Sequence, residues 1–132
     1  MKFNNLKILT IDDSPMIQTI IKNILISYEV DRNNIYQAGD GAAGLVLAEQ
    51  KNLDVILCDL SMEPMDGFEF VKRLRSHPNE QIRDKPVIVL TVHGEQAVVA
   101  KAGKLAIDGY MLKPISPVTL RQRITQVLSK PE

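Results

Sequence analysis

A chain of 132 residues with sixteen acidic and sixteen basic side chains is long enough to bury one core without covalent staples, and its balanced charge sets up no broad field for a polyanion. No Lys/Arg block or aromatic platform supports nucleic-acid or anionic-membrane binding, and no stretch approaches the roughly 20 apolar residues of a membrane span or the apolar centre of a signal peptide. The single cysteine, Cys58, lies inside an apolar run, so it reads as a small buried hydrophobe in a reducing, cytoplasmic setting.

Strand and helix signals alternate five times along residues 1–132, without a low-complexity linker or a repeat, which argues for one α/β domain. Ile8-Leu9-Thr10-Ile11 reads as a first strand. Ser14-Pro15 then supplies a cap and a first-turn proline for a helix in which Ile17, Ile20, Ile21, Ile24 and Leu25 recur at helical spacing. A short second strand at residues 35–38 precedes the turn Gly39-Asp40-Gly41, and a second helix is expected over 42–50. The third strand is Val55-Ile56-Leu57-Cys58. After a loop, Asp66 and Glu69 form a capping-box pattern for a helix carrying Phe68, Val71 and Leu74 on one face and stopping near Ser76. Residues 77–85, charged and containing Pro78, read as a surface loop before a fourth strand, Val87-Ile88-Val89-Leu90. A weaker fourth helix over 95–105 contains Gly103. Gly109-Tyr110-Met111-Leu112 makes the last strand, and Ser116-Pro117 opens a final helix whose apolar face holds Leu120, Ile124, Val127 and Leu128. Right-handed crossovers then place helices on both faces of a parallel sheet, although periodicity leaves the strand order open.

The chemistry lies where the apolar runs stop. Asp12 and Asp13 follow the first, Asp59 the third, Thr91 the fourth and Lys113 the fifth, and in an open parallel sheet these ends share one ligand-binding edge. Three carboxylates brought together repel one another unless a cation intervenes. Asp12 and Asp13 offer hard oxygen ligands for Mg²⁺. Asp59 can act as a nucleophile toward phosphorus, Lys113 can neutralise charge, and the Thr91 hydroxyl can donate to a phosphoryl oxygen without adding charge. Each residue alone has a plainer explanation as a helix cap, a strand end or a solvated amine. Four strand ends bearing complementary groups favour the chemical one. His77, beside Pro78, reads as a solvated residue near a helix end. His93, two residues past Thr91, is either an exposed loop residue or a neighbour of the phosphoryl group, and no second histidine at ligand spacing suggests a transition-metal site.

Together, Ile11-Asp12-Asp13-Ser14, Leu57-Cys58-Asp59-Leu60, Met65-Asp66-Gly67, Leu90-Thr91 and Gly109-Tyr110-Met111-Leu112-Lys113-Pro114 resemble the receiver domain of two-component response regulators, of the stand-alone, chemotaxis-regulator type. The resemblance covers about residues 6–129. It implies a five-stranded flavodoxin-like fold of strand order 2-1-3-4-5, phosphorylation of Asp59 by a sensor histidine kinase or histidine phosphotransfer protein, and Mg²⁺ held by Asp12, Asp13, Asp59 and the backbone carbonyl of Ser61. By the same resemblance Thr91 and Tyr110 are switch residues, Ser61 and His93 flank the site where they could tune phosphoryl lifetime, and the Lys113–Pro114 bond is cis. Two departures stand out: Glu63 occupies the place of the family's usual proline, which has moved to Pro64, and Ala106 replaces the glycine that usually ends the fourth helix. The loop beside the metal and the exit from that helix are expected to differ accordingly.

The favoured function is thus a phosphorylation-controlled signalling module that engages a downstream target through its fourth helix, fifth strand and fifth helix, with dimerisation on phosphorylation left open. Val98, Lys101, Tyr110, Leu112 and Arg121 are the candidates for that face. The alternative is a Mg²⁺-dependent phosphohydrolase working through an aspartyl phosphate, but it would ordinarily need a general acid or base where Ser61 stands. A flavin-binding reading meets an acidic loop where an anion nest is required. Direct DNA binding is weakest, because few residues follow the last helix.

Overall fold

A computed structural model describes residues 3–60, 67–92 and 107–129. Five parallel strands, β1 (Ile8–Ile11), β2 (Ile35–Ala38), β3 (Val55–Asp59), β4 (Val87–Thr91) and β5 (Gly109–Leu112), form one sheet in the order β2-β1-β3-β4-β5. This is the flavodoxin-like arrangement expected from the resemblance. In register, Ile8 lies opposite both Ile35 and Val55, and Leu57 opposite Ile88. The helices are α1 (Pro15–Ser27), α2 (Gly41–Gln50), α3 (Gly67–Arg75), a single turn α4 (Glu80–Arg83) and α5 (Pro117–Leu128).

Because side chains alternate across a strand, each apolar run feeds two cores. Ile8, Val55, Leu57, Ile88, Leu90 and Met111 pack with Ile21, Leu25, Leu120 and Ile124 from α1 and α5. Leu9, Ile11, Ile56, Cys58, Val87 and Val89 pack on the other face with Ala48, Phe70, Val71 and Leu74 from α2 and α3. Cys58 is buried, as its place in the third strand implied. Among the described residues, no helix is long and apolar enough to cross a membrane.

Most elements start where the sequence places them. Ser14 and Ser116 cap α1 and α5 by accepting from the backbone N–H of Ile17 and Thr119, and a proline follows each cap. Helix α2 begins one residue earlier than expected, at Gly41, because Asp40 is its cap and accepts from the N–H of Ala43. Residues 77–85 correct the expectation of a plain loop. Asn79 accepts from the N–H of Gln81 and starts α4, while the His77 Nδ1 accepts from the N–H of Asn79. His77 lies just past the end of α3, partly exposed, with its Nε2 3.4 Å from a Glu49 carboxylate oxygen. Asp66 of the proposed capping box and the expected helix over 95–105 lie outside the described residues, and Glu69 pairs with Arg73 one turn on.

In α1 the apolar pattern misleads at two positions. Ile20 is 40% exposed, whereas Gln18 is buried. The helix ends in a Schellman motif, with the Val30 N–H on the Leu25 carbonyl and the Glu29 N–H on the Ile26 carbonyl. Glu29 takes the left-handed conformation there, at φ 73°.

Candidate functional site

The ends of β1, β3, β4 and β5 bring Asp12, Asp13, Asp59, Thr91 and Lys113 to one edge of the sheet. Asp59 and Thr91 are the last residues of β3 and β4, and both are buried, as is Asp12. The strand ladder continues past the strand ends and fixes their backbones: Asp12 N–H donates to the Ala38 carbonyl, Leu60 N–H to Leu90, and Lys113 N–H to Thr91. One carboxylate oxygen from each of Asp12, Asp13 and Asp59 lies within 4.8 Å of the other two. The peptide bond joining Lys113 to Pro114 is cis, in accord with the resemblance. The Lys113 Nζ lies 3.1 Å from Asp59 Oδ1 and 3.3 Å from Asp12 Oδ2.

Three acids face one ammonium group, and burial acts together with these charges on Asp12 and Lys113. Burial raises the Asp12 pKa above the ordinary carboxylate value; the Ser14 N–H, donating to Oδ1 at 2.9 Å, and the Lys113 ammonium pull it down, while the nearby Asp59 charge adds to the rise. For Lys113, burial acts against the charged form, but the charges of Asp12 and Asp59 and their hydrogen bonds outweigh it and raise its pKa. A further cation would relieve the remaining repulsion. The donor set, all hard carboxylate oxygen with one exposed member in Asp13, fits a hydrated Mg²⁺. Ser61, whose backbone carbonyl was expected to join it, and His93 lie outside the described residues, as do Glu63, Pro64, Ala106, Val98 and Lys101.

Tyr110 is half-buried against the core that includes Phe70 and Val89, and its carbonyl accepts from Arg123 Nε at 3.2 Å. Arg121 is placed elsewhere than expected. Its guanidinium stacks over Tyr28 and Phe3, at 5.1 and 5.9 Å from their ring centres, tying α5 to the end of α1. Arg123 instead shares with Tyr110, Leu112 and Thr119 a cavity of about 240 Å³.

Sequence reasoning missed two features of the site. A Cβ at Gly67 would run into the Asp59 carbonyl and lie 2.8 Å from Leu60 Cα, so the start of α3 presses on the backbone of the acceptor strand. The Met65-Asp66-Gly67 string was the available signal. Gln18 sends its side-chain amide inward to the end of β1, and nothing in the helical pattern distinguishes it from a solvent-facing polar residue.

Comparison with known proteins agrees with this geometry. The response regulator receiver domain family matches residues 8–125. The chain is 27% identical over 126 residues to the chemotaxis protein CheY-3 of Vibrio cholerae, covering 96% of this chain and 94% of that protein. It is 32% identical over 124 residues to the chemotaxis protein CheY homolog of Campylobacter jejuni, covering 93% and 92%. Among solved structures, CheY4 of Vibrio cholerae superposes with a TM-score of 0.84 at 30% identity over 93% of this chain and 98% of that one. The receiver domain of the Pseudomonas aeruginosa sensor histidine kinase PA1611, solved with a magnesium ion in its active site cleft, gives 0.81 at 25% identity over 93% and 97%. Sheet order, the acidic edge and these likenesses agree, and the chain belongs to the response regulator receiver domain family.

Proposed function

We propose that this receiver is phosphorylated on Asp59, and that its phosphorylation state controls a protein partner. The observation that carries the reading is the placing of the Lys113 ammonium 3.1 Å from Asp59 and 3.3 Å from Asp12, among three convergent carboxylates. An Asp59 carboxylate oxygen attacks the phosphorus of a phosphohistidine. The P–N bond breaks, its electron pair stays on the imidazole, and Asp59 becomes an acyl phosphate. Asp12, Asp13 and Asp59 would hold Mg²⁺, which when bound supplies positive charge to the phosphoryl oxygens. Lys113 supplies the organic cation, and Thr91 donates its hydroxyl to a phosphoryl oxygen.

The donor is a sensor histidine kinase or a histidine phosphotransfer protein. The output is a shift in the population of the face around Tyr110, Leu112, α5 and the 95–105 segment, read by a downstream target in the cytoplasm. Tyr110 and Thr91 are the switch residues, and Ser61 and His93 are the positions that tune lifetime. We take residues 1–132 as one receiver domain whose only chemistry is its own phosphorylation and dephosphorylation; the phosphohydrolase alternative is not favoured. The test is intact-mass analysis after incubation with Mg²⁺ and acetyl phosphate. Wild type gains one phosphoryl group, and Asp59→Asn gains none. Equal labelling of the two would remove Asp59 as the acceptor.

A further inference from the structure

Gln18 is a primary amide on α1 placed inside the protein, at 8% exposure, against the ends of two strands. Its Nε2 donates to the carbonyl of Ala38 at 2.9 Å, of Asp12 at 3.1 Å and, more weakly, of Thr10 at 3.3 Å. Its Oε1 accepts from the Thr10 hydroxyl; the three carbonyls, which can only accept, decide which way round the amide sits. Burying an amide costs free energy unless it is bonded. No buried side-chain nitrogen or oxygen among the described residues lacks a partner, so Gln18 is fully engaged rather than strained. What it engages is informative. The Asp12 carbonyl belongs to the peptide that joins Asp12 to Asp13, and the Ala38 carbonyl is the one that accepts the Asp12 N–H. Both sides of Asp12 are therefore tied to a single side chain. The plane of the Asp12–Asp13 peptide sets where the exposed Asp13 carboxylate points.

We propose that Gln18, hydrogen-bonded to Thr10, is a positioning residue for the acidic pair: it holds the Asp12–Asp13 peptide so that both carboxylates converge with Asp59 on one cation. The inference rests on the reading of that cluster as a Mg²⁺ site. Gln18 touches neither the ion nor the phosphoryl group, and its action passes through the backbone. A cavity of about 300 Å³ lined by Asp13, Gln18, Gln37 and Gly39 opens beside the pair, so a freed peptide has room to turn.

The experiment is Mg²⁺ titration by calorimetry, with amide chemical shifts of Asp12 to Ser14 as a second readout. It compares wild type, Gln18→Met, Thr10→Val, the double variant and Val127→Ala. Methionine keeps the length of the side chain and removes the amide. Val127 packs beside Gly109, where β5 begins, at the opposite edge of the sheet. Gln18→Met should weaken Mg²⁺ binding by about tenfold, in the range seen when groups behind metal ligands are removed. Thr10→Val should weaken it by less, and the double variant should bind no worse than Gln18→Met, because Thr10 acts through Gln18. Val127→Ala should lower the melting temperature without changing the affinity. Wild-type affinity in Gln18→Met and Thr10→Val, whatever their stability, overturns the proposal and leaves the Mg²⁺ site standing, as does strict additivity in the double variant. If Gln18→Met does not fold, Thr10→Val decides by the same criterion. A wild-type protein that binds no Mg²⁺ overturns the acidic-site reading and this proposal with it.

Discussion

Three glycines offer the same chemical change in three surroundings, and each surrounding leads to a different expected cost. At Gly67 an added Cβ meets Leu60 Cα at 2.8 Å and Leu60 Cδ2 at 2.9 Å, besides the Asp59 carbonyl, where ordinary contact begins at 3.4 Å. The Leu60 backbone cannot rotate out of the way as a side-chain end can. Overpacking of this kind costs about 1–3 kcal/mol. With an unfolding entropy of about 2.1 cal/mol/K per residue, that lowers the melting temperature of a chain this size by roughly 4–11 °C. At Gly44 the obstacle is the flexible end of Ile11, with Phe70 Cε1 at 3.3 Å; the gain of about 1 kcal/mol in helix propensity should leave Gly44→Ala within about 1 kcal/mol of wild type. At Gly39 nothing lies within 4 Å and φ is not positive, so alanine should be neutral or stabilise by about 0.4–1 kcal/mol through the unfolded chain. Thermal melts rank the three variants, and acetyl phosphate labelling reports on the site. Gly67→Ala should also label more slowly, because the displaced backbone carries Asp59 and its 3.1 Å contact with Lys113. A Gly67→Ala protein as stable as Gly39→Ala would refute the close approach, and wild-type labelling in a destabilised Gly67→Ala would confine its effect to packing.

Glu29→Gly should stabilise by about 1 kcal/mol, seen as a higher urea midpoint at constant slope, because a carboxylate side chain in the left-handed position at a helix C-terminus is doubly unfavourable; no gain would mean that Glu29 is compensated elsewhere. Arg75→Ala should cost about 2–4 kcal/mol, because the guanidinium bonds the carbonyls of Arg83 and Lys85 at 2.6 and 2.8 Å and pairs with Asp108, which also accepts from the Val87 N–H. A loss below about 0.5 kcal/mol, the usual range for a surface change, would show that this strap is replaceable. With Mg²⁺ removed by chelator, stability should fall as pH rises from Asp12's ordinary 3.8 through its raised folded value, since the folded state then binds more protons than the unfolded chain. The contribution of Lys113 has its full value below 10.5 and is lost as pH rises through its higher folded pKa. Mg²⁺ should raise the melting temperature more at pH 7 than at pH 4, because it competes with protons for the same carboxylates; an equal rise at both would place the ion elsewhere.

The strands were legible because parallel strands buried on both faces must be apolar throughout, and Val55 to Cys58 or Val87 to Leu90 can hardly be anything else. The convergence of Asp12, Asp13, Asp59, Thr91 and Lys113 followed from the strand ends alone, since in a parallel sheet those ends share an edge. What escaped was decided by partners distant in sequence. Gln18 is buried because three carbonyls at the ends of β1 and β2 receive its amide, and a helical wheel records only its polarity. Arg121 faces α1 because Phe3 and Tyr28 present their rings there, which left Arg123 to bond Tyr110. The turn of α4 was missed because Asn79 caps it locally while Pro78 and the charges argued for a loop.

A parallel sheet also explains why a polar clamp is needed beside a functional edge. A strand carbonyl inside the ladder is answered by the neighbouring strand, and one that lies past a strand end can be answered by a side chain instead. In this protein the Ala38 carbonyl takes the Asp12 N–H and the Gln18 amide together, and the Asp12 carbonyl takes the same amide. The edge that gathers the acids is thus also where a carbonyl just past the end of β1 takes its bond from a side chain. That side chain comes from α1 and, in making the bond, fixes the peptide from which Asp12 and Asp13 project.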